Sequence, residues 1–355
     1  MDLAGVDWTC RQGIFKPQLS GRKAMKAGET VRAWAAARGY RAAVGSVSLL
    51  EEVRGDLQRR RDAAEIDAAF FRENLESFDY LGGVPLKNPR SLIIVAVPAP
   101  AYVLAFTVGD KRVEAVLPPT YVRYRTIFTD VRDDLRDAIS GSGSQVELLS
   151  VPLKALGSRL GLLAYGRNNV GYIDGLGSYF QLVGLVSDMP LDGRDAPSRR
   201  EETLLPRCRK CRICAAACPM GAIDKERVLL HGEKCYTLYS ESPKPIPEGL
   251  EPPSPGCIIG CLRCQELCPE NKGQLRYENA AVSFDAKETE AFLGLEPAGS
   301  GPAFERARAK FQQLGLSEGL FVFRRNLSRL IRGGTSLSTR GRKLKTPLSP
   351  IIRTW

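Results

Sequence analysis

Apolar and polar positions alternate between helical and strand periods along the first half of the chain. Gly28 to Arg38, GETVRAWAAAR, reads as a helix stopped by Gly39, and the short apolar segment Tyr40 to Val44 reads as a strand. Ser48-Leu49-Leu50-Glu51 has capping-box spacing and opens a second helix, and a helical pattern follows near Asp62 to Tyr80. Ser91 to Val97 is an unbroken Leu/Ile/Val run, the mark of a strand covered on both faces. Val103 to Val108 and Val113 to Leu117 flank Gly109-Asp110-Lys111-Arg112 and read as a hairpin. From Thr120 to Ile139 the residues Ile127, Val131, Leu135 and Ile139 form one stripe of a helix. Val146 to Val151 reads as a strand, Leu153 to Leu160 as a short helix, and Tyr179 to Val186 as another strand. The expected fold class is α/β, a mixed sheet with flanking helices. Ser91 to Val108 is apolar enough to raise a membrane span, but Pro98 and Pro100 divide it into two pieces of strand length.

The pattern changes after Pro190. A polar linker runs to Pro206, a cysteine-rich segment follows, and Ser242 to Pro255 is a Pro-rich loop without period. Helical patterns return after Lys272 and continue to Ile331. The expected organisation is an α/β body over 1–202, an inserted dicluster segment over 203–275, a helical segment over 276–332 and a poorly ordered basic tail over 333–355. The 355 residues are 43% hydrophobic and 26% charged, which excludes a disordered polyelectrolyte. Net charge is +11, and Pro302 to Trp355 alone carries twelve basic residues against two acids, +10. Such a stretch attracts nucleic acid, an anionic surface or an acidic redox partner, or is simply a solvated tail. No apolar run follows the early positive charges, so the expected location is the cytoplasm, with no membrane partner.

Nine of the ten cysteines fall between Cys208 and Cys268, leaving Cys10 as an ordinary thiol, and this crowding reads as metal ligation rather than a disulfide framework. The single histidine, His231, argues against His-rich zinc catalysis, a Cys-His dyad or a Ser-His-Asp triad. Cys208-x2-Cys211-x2-Cys214-x3-Cys218-Pro219 has the form of a bacterial ferredoxin run, in which three thiolates hold one cubane and the fourth crosses to a second. Cys257-x3-Cys261-x2-Cys264-x3-Cys268-Pro269 is the matching run. Reciprocal exchange places Cys208, Cys211, Cys214 and Cys268 on one [4Fe-4S] cluster, and Cys218, Cys261 and Cys264 on the other with either Cys235 or Cys257. Zinc modules use separated Cys-x2-Cys pairs, so two triple runs each ending in Cys-Pro favour iron. Two clusters with crossed ligands form a wire for electrons, and their charge lowers the formal +11 to about +7. Upstream, Gly161 to Ser178 contains five glycines, suited to turns or to close approach of a ligand.

Three motifs resemble the epoxyqueuosine reductase family, cobalamin-dependent reductases related to reductive dehalogenases. They are Gly166-Arg167-Asn168 with Gly177-Ser178 and Leu185 to Leu191, the run Cys208 to Ile223, and Glu233-Lys234-Cys235 with Gly260-Cys261 through Asn271. The resemblance spans roughly residues 28 to 275. It implies Cys235 as the eighth ligand, Arg167 and Asn168 beside a cobalamin, and a ferredoxin- or flavodoxin-type electron donor. The expected function is an iron-sulfur oxidoreductase passing electrons through both clusters to a cobalamin that reduces an organic substrate. The alternatives are an electron carrier without a substrate of its own, and a reductase directed at tRNA through the basic segment. The sequence departs from the family at its proton donor. The family's Asp three residues before a Pro is Leu149 here, counting back from Pro152, and an ungapped count from the Gly-x-Asn motif reaches Glu147. The Asp-Tyr-His segment is replaced by Pro118 to Tyr124. No catalytic residue is therefore assigned, and epoxyqueuosine is not assigned as substrate.

Overall fold

The computed structural model describes residues 27–191, 203–225, 227, 229–243, 245–250, 256–294 and 301–333. The body consists of α1 (Ala27–Ala37), β1 (Arg41–Ser46), α2 (Leu49–Asp62), α3 (Ala68–Asn74), β2 (Ser91–Pro98), β3 (Ala101–Val108), β4 (Lys111–Leu117), α4 (Tyr124–Ile139), β5 (Val146–Leu148), α5 (Leu153–Arg159), β6 (Ala164–Tyr165), β7 (Gly171–Tyr172) and β8 (Phe180–Ser187). A central antiparallel sheet runs β1-β2-β8-β5, with Leu92 opposite Val186 and Ile94 opposite Gly184. Seven consecutive residues of β2 are buried because both faces are covered. Ile93, Val95 and Val97 pack with Val31, Trp34, Val131 and Leu135 of α1 and α4. Leu92 and Ile94 pack with Leu49, Val53 and Leu156 of α2 and α5.

The cysteine segment contributes α6 (Ile213–Ala217), α7 (Tyr236–Glu241) and α8 (Arg263–Glu266). After it come β9 (Tyr277–Phe284), α9 (Ala286–Leu293), α10 (Pro302–Gln313) and α11 (Leu320–Arg332). Strand β9 returns to the body and pairs parallel with β3, giving a second sheet β4-β3-β9. One face of that sheet is closed by α9 to α11 around Phe106, Phe284, Phe292, Phe311 and Phe323. Phe106 stacks on Phe284 at 4.5 Å, and Phe311 lies 4.9 Å from Phe284 and 4.7 Å from Phe292. The other face, through Ala101, Val103 and Val116, packs Cys257, Leu262 and Tyr277. The cysteine segment is thus held between two sheets that belong to the rest of the chain.

Several local expectations change. Ser48 precedes α2 but makes no side-chain cap; its hydroxyl donates to Ser46 instead. The pattern from Asp62 to Tyr80 yields only α3, because Ala64 takes a left-handed conformation and Asp67 then caps a fresh start through the Phe70 N–H. Helix α4 begins at Tyr124, since Arg123 is left-handed at φ 53° while its N–H is bound by the Leu314 carbonyl. The stretch after Lys272, expected to be helical, opens with β9, where pairing to β3 decides the conformation. Most of the linker and all but the first residue of the basic tail lie outside the described residues. No helix of the described residues is long and apolar enough to cross a membrane.

Phe311 is fully buried at the centre of the aromatic group, so Phe311→Ala is expected to destabilise the protein by about 3–5 kcal/mol, read by denaturant unfolding.

Candidate metal centre

Each cysteine run is anchored to a strand of the body. The approach to the first run pairs with β6, where Tyr165 N–H donates to Thr203 O at 2.6 Å and Leu205 N–H to Tyr165 O at 2.8 Å. The second run starts beside β4, where Ile258 N–H donates to Val116 O at 3.0 Å and Val116 N–H donates to Gly256 O. These contacts bring the two runs together, with α6 against α8.

The thiols fall into two neighbourhoods. Burial pushes the Cys214 thiol up to about 11, and the nearby sulfurs of Cys208, Cys268 and Cys211 add like-charge repulsion. Burial also raises Cys208, with Cys268 and Cys211 again as neighbours. In the second neighbourhood burial pushes Cys261 up to about 12, with Cys257, Cys235 and Cys218 close by. Cys264 is held well above the usual thiol range by burial, then by Cys261, Cys235 and Cys214. Burial raises Cys235 as well, and Cys218 adds to it. Cys257 approaches Cys261, but it packs among Ala101, Val103, Val116, Leu262 and Tyr277, whereas Cys235 also neighbours Cys218 and Cys264. Among the described residues, no three Cys, His, Asp or Glu side chains close on a point as one ion would require.

The glycine-rich segment binds the body to these loops. Arg167 is 4% exposed, and its guanidinium donates to Cys208 O from Nε and Nη2, to Cys211 O from Nε, and to Lys225 O from Nη1 at 2.7 Å. Asn168, equally buried, donates to the Tyr172 hydroxyl at 2.9 Å and to Cys264 O at 3.4 Å, and its amide also bonds the Cys264 side chain. The Tyr172 hydroxyl bonds the Cys268 side chain, and burial followed by Cys268 holds its pKa well above the usual tyrosine range. Asn168 and Tyr172 therefore link a thiol of one neighbourhood to a thiol of the other. Further along, Ser178 N–H donates to Asn271 Oδ1 at 2.9 Å, Asn271 Nδ2 donates to the Ser178 hydroxyl at 2.8 Å, and that hydroxyl donates to Gln265 Oε1 at 2.8 Å. Gly177 has φ +59°, and a Cβ there would meet Asn271 Oδ1 at 2.4 Å, so close approach demands glycine.

Beside Cys235 lies a second group of polar residues. Lys154 reaches solvent, yet burial lowers its ammonium pKa, and its Nζ donates to Asn169 O at 2.9 Å. Glu241 also reaches solvent while burial raises its carboxyl, which accepts from the Tyr121 hydroxyl. Both residues stand at the surface near Cys235. The Tyr179 hydroxyl is buried without a hydrogen-bond partner and feels Glu266, Cys257 and Cys264. Glu147, by contrast, is bound by Arg136 at 3.1 Å. The 680 Å³ cavity lined by Ser46, Arg54 and Tyr80 shares no residue with the thiols.

Residues 207–271 match the family model of a 4Fe-4S double cluster binding domain. Epoxyqueuosine reductase of Pseudomonas aeruginosa is 27% identical over 247 residues, 67% of this chain and 63% of that enzyme. The Staphylococcus aureus enzyme is 26% identical over 197 residues, 53% of this chain and 50% of its own. The chain resembles the epoxyqueuosine reductases. It spans about a third to just under two thirds of the length of the curated epoxyqueuosine reductases it matches. The Bacillus subtilis epoxyqueuosine reductase structure superposes with a TM-score of 0.58 at 17% identity, covering 86% of this chain and 82% of that one, a likeness of fold. An epoxyqueuosine reductase bound to an epoxyqueuosine-modified tRNA stem loop superposes at 0.54 and 18% identity, covering 85% of this chain and 80% of that one.

Sequence reasoning singled out Arg167, Asn168 and the cysteines but missed Tyr172, Lys154, Tyr121 and Glu241 as neighbours of the thiols. Arg167→Met would leave the Cys208, Cys211 and Lys225 carbonyls without these donors. It is expected to cost about 1–3 kcal/mol or more in unfolding of the cluster-loaded chain, with Arg167→Lys intermediate.

Proposed function

We propose that this chain is an iron-sulfur redox enzyme in which Cys208, Cys211, Cys214 and Cys268 hold one [4Fe-4S] centre and Cys218, Cys235, Cys261 and Cys264 hold the other. The observation that carries the reading is the pair of thiol neighbourhoods, four sulfurs in the first and Cys218, Cys235, Cys261 and Cys264 with Cys257 at the edge of the second, each with a sulfur from the other run. Their buried thiols resist ionisation in isolation, and a 2+ core is what makes four thiolates stable together. Arg167 orients the first loop, and Asn168 and Tyr172 bond sulfur-bearing residues of both sets, where such donors raise a reduction potential.

A cleft beside Cys235 that the exposed Lys154 and Glu241 would border is the proposed site of reduction, and the buried Tyr179 hydroxyl, without a hydrogen-bond partner and near Cys257 and Cys264, fits a bound polar group close to the second set. A cobalamin held beside those residues would supply the metal chemistry that reduces an organic substrate. Arg167 and Asn168 then serve by positioning the cluster loops. Glu241, whose carboxyl pKa burial raises while the Tyr121 hydroxyl bond lowers it, is the proposed proton-exchanging group beside Cys235, since Glu147 is paired to Arg136. A ferredoxin- or flavodoxin-type carrier supplies the electrons. The stem-loop complex of the related reductase and the basic segment support tRNA as a carrier of the substrate. The engagement of Glu147 favours the second reading, an electron carrier without its own substrate.

Anaerobically prepared protein is expected to carry roughly eight iron and eight sulfide per chain, Cys235→Ala to lose about half, and Cys257→Ala to keep nearly all. Equal retention by Cys235→Ala would overturn the ligand assignment. Stoichiometric retention of added cobalamin separates the enzyme from the carrier, which would keep none. Tyr172→Phe is expected to shift one centre to a more negative potential in a redox titration at unchanged iron content, because a donor to sulfur is removed.

A further inference from the structure

The two thiol neighbourhoods differ in what surrounds them. The set containing Cys235 and Cys264 abuts Asn168, Lys154 and the cleft. The set containing Cys214 and Cys268 lies under exposed surface. Ile213, directly before Cys214, is 44% exposed, and Leu267, directly before Cys268, is 41% exposed. Helices α6 and α8 pack together, and the cysteines that follow these two residues, Cys214 and Cys268, are neighbours. They are two of only five large hydrophobic side chains exposed among the described residues.

The rim of this apolar spot is basic. Arg209 and Lys210, between Cys208 and Cys211, are exposed, as is Lys272 four residues after Cys268. From Arg207 to Ile223 the chain has no acidic residue. The acids of the facing run are engaged: Glu270 by Arg207 at 2.6 Å and Glu266 by the Tyr277 hydroxyl at 2.5 Å. Arg212 is turned inward, donating to the carbonyls of Cys208, Arg209 and Cys211. An apolar centre ringed by positive charge over redox ligands suits brief contact with a negatively charged protein, since charge steers the encounter and a small dry contact lets it dissociate. Nucleic acid is a poorer match. Residues 207–219 hold no Phe, Tyr or Trp on which a base could stack, and two aliphatic side chains occupy the middle of the patch.

We infer that the surface formed by Arg209, Lys210, Ile213, Leu267 and Lys272 is the electron-entry face, where an acidic one-electron carrier protein docks over the Cys208, Cys211, Cys214 and Cys268 set. The inference rests on the two-centre reading above. The carrier loses one electron, the centre beneath the face gains it, and no atom changes hands.

The test uses the full, cluster-loaded chain and reduced flavodoxin as the acidic carrier, followed by stopped-flow bleaching of the iron-sulfur absorbance. The wild-type rate constant should fall steeply with added salt. Arg209→Glu with Lys210→Glu should slow it about ten-fold or more and flatten the salt dependence, and Ile213→Ser with Leu267→Ser should weaken saturation several-fold. Iron content and the rate with dithionite should stay as in wild type, and Lys111→Glu, on the β3–β4 turn, should leave the flavodoxin rate unchanged. Lys210→Gln, a milder change, should slow the reaction about two-fold or more. Unchanged flavodoxin rates in the charge-reversed, iron-replete protein would overturn the inference, as would a loss confined to binding of a tRNA stem loop. Absence of iron from wild-type protein would remove the two-centre reading and this face together.

Discussion

Four sulfurs cannot share a buried corner as thiolates unless positive charge enters with them. The raised pKa values of Cys214, Cys261 and Cys264 express this as an excess of repulsion and burial over local stabilisation. The fold therefore arranges groups that are costly until an inorganic core arrives, and binding and local folding become one event. What the chain supplies beforehand is direction. Arg167 gathers three carbonyls of the first loop around one guanidinium, turning the peptide groups there toward the body. Asn271 and Ser178 do the equivalent work for the second run through neutral hydrogen bonds. On the far side, Asn326 of α11 donates to Ser240 O and Ile258 O, and Arg325 donates to Tyr239 O and Ser242 O, so the C-terminal helix holds the loops around Cys235 and Cys257.

Much of this was legible in the amino-acid pattern, and the exceptions have physical reasons. The unbroken Leu/Ile/Val run at β2 predicts burial on both faces because only a covered strand tolerates apolar residues at successive positions, and both faces are covered. The β3–β4 hairpin and the stripe of α4 follow from period alone. Strand β9 does not, since its Tyr277, Val282 and Phe284 are scattered among polar residues and acquire strand geometry only from a partner about 175 positions earlier. Spacing alone favours Cys257 as the eighth ligand, and only the family resemblance points to Cys235. The proposal of Cys235 rests also on Val116, whose bridge to Cys257 draws that thiol's segment into an apolar pack.

The glycine-rich stretch has a structural use that its composition left open. Five glycines suggested either turns or a bound ligand, and the structure gives a hairpin, β6 with β7, whose polar residues point into the cysteine loops. Gly166 leaves room that a Cβ would close against Asn168 Oδ1 and the Tyr172 ring at 2.4 and 2.5 Å. Glycine here permits protein to meet protein. Lys154, Tyr121 and Glu241 carried no comparable signal, because they come from three distant segments and share a wall only after folding.

An asymmetry follows from this arrangement. The body reaches the second set from within, through Asn168 at Cys264 and through Lys154 near Cys235. The first set meets the body through backbone carbonyls bound by Arg167 and through Tyr172 at Cys268, and Ile213 and Leu267 beside it are exposed. On the proposed reading, electrons would enter at the first set and leave at the second without a moving part. The crossed cysteines shorten the path between the two ends, since Cys218 and Cys268 each belong by sequence to one run and by position to the other set. The body contributes a hairpin and a sheet face to the cysteine loops, and this unequal support is what the proposed direction of electron flow, in at the first set and out at the second, rests on.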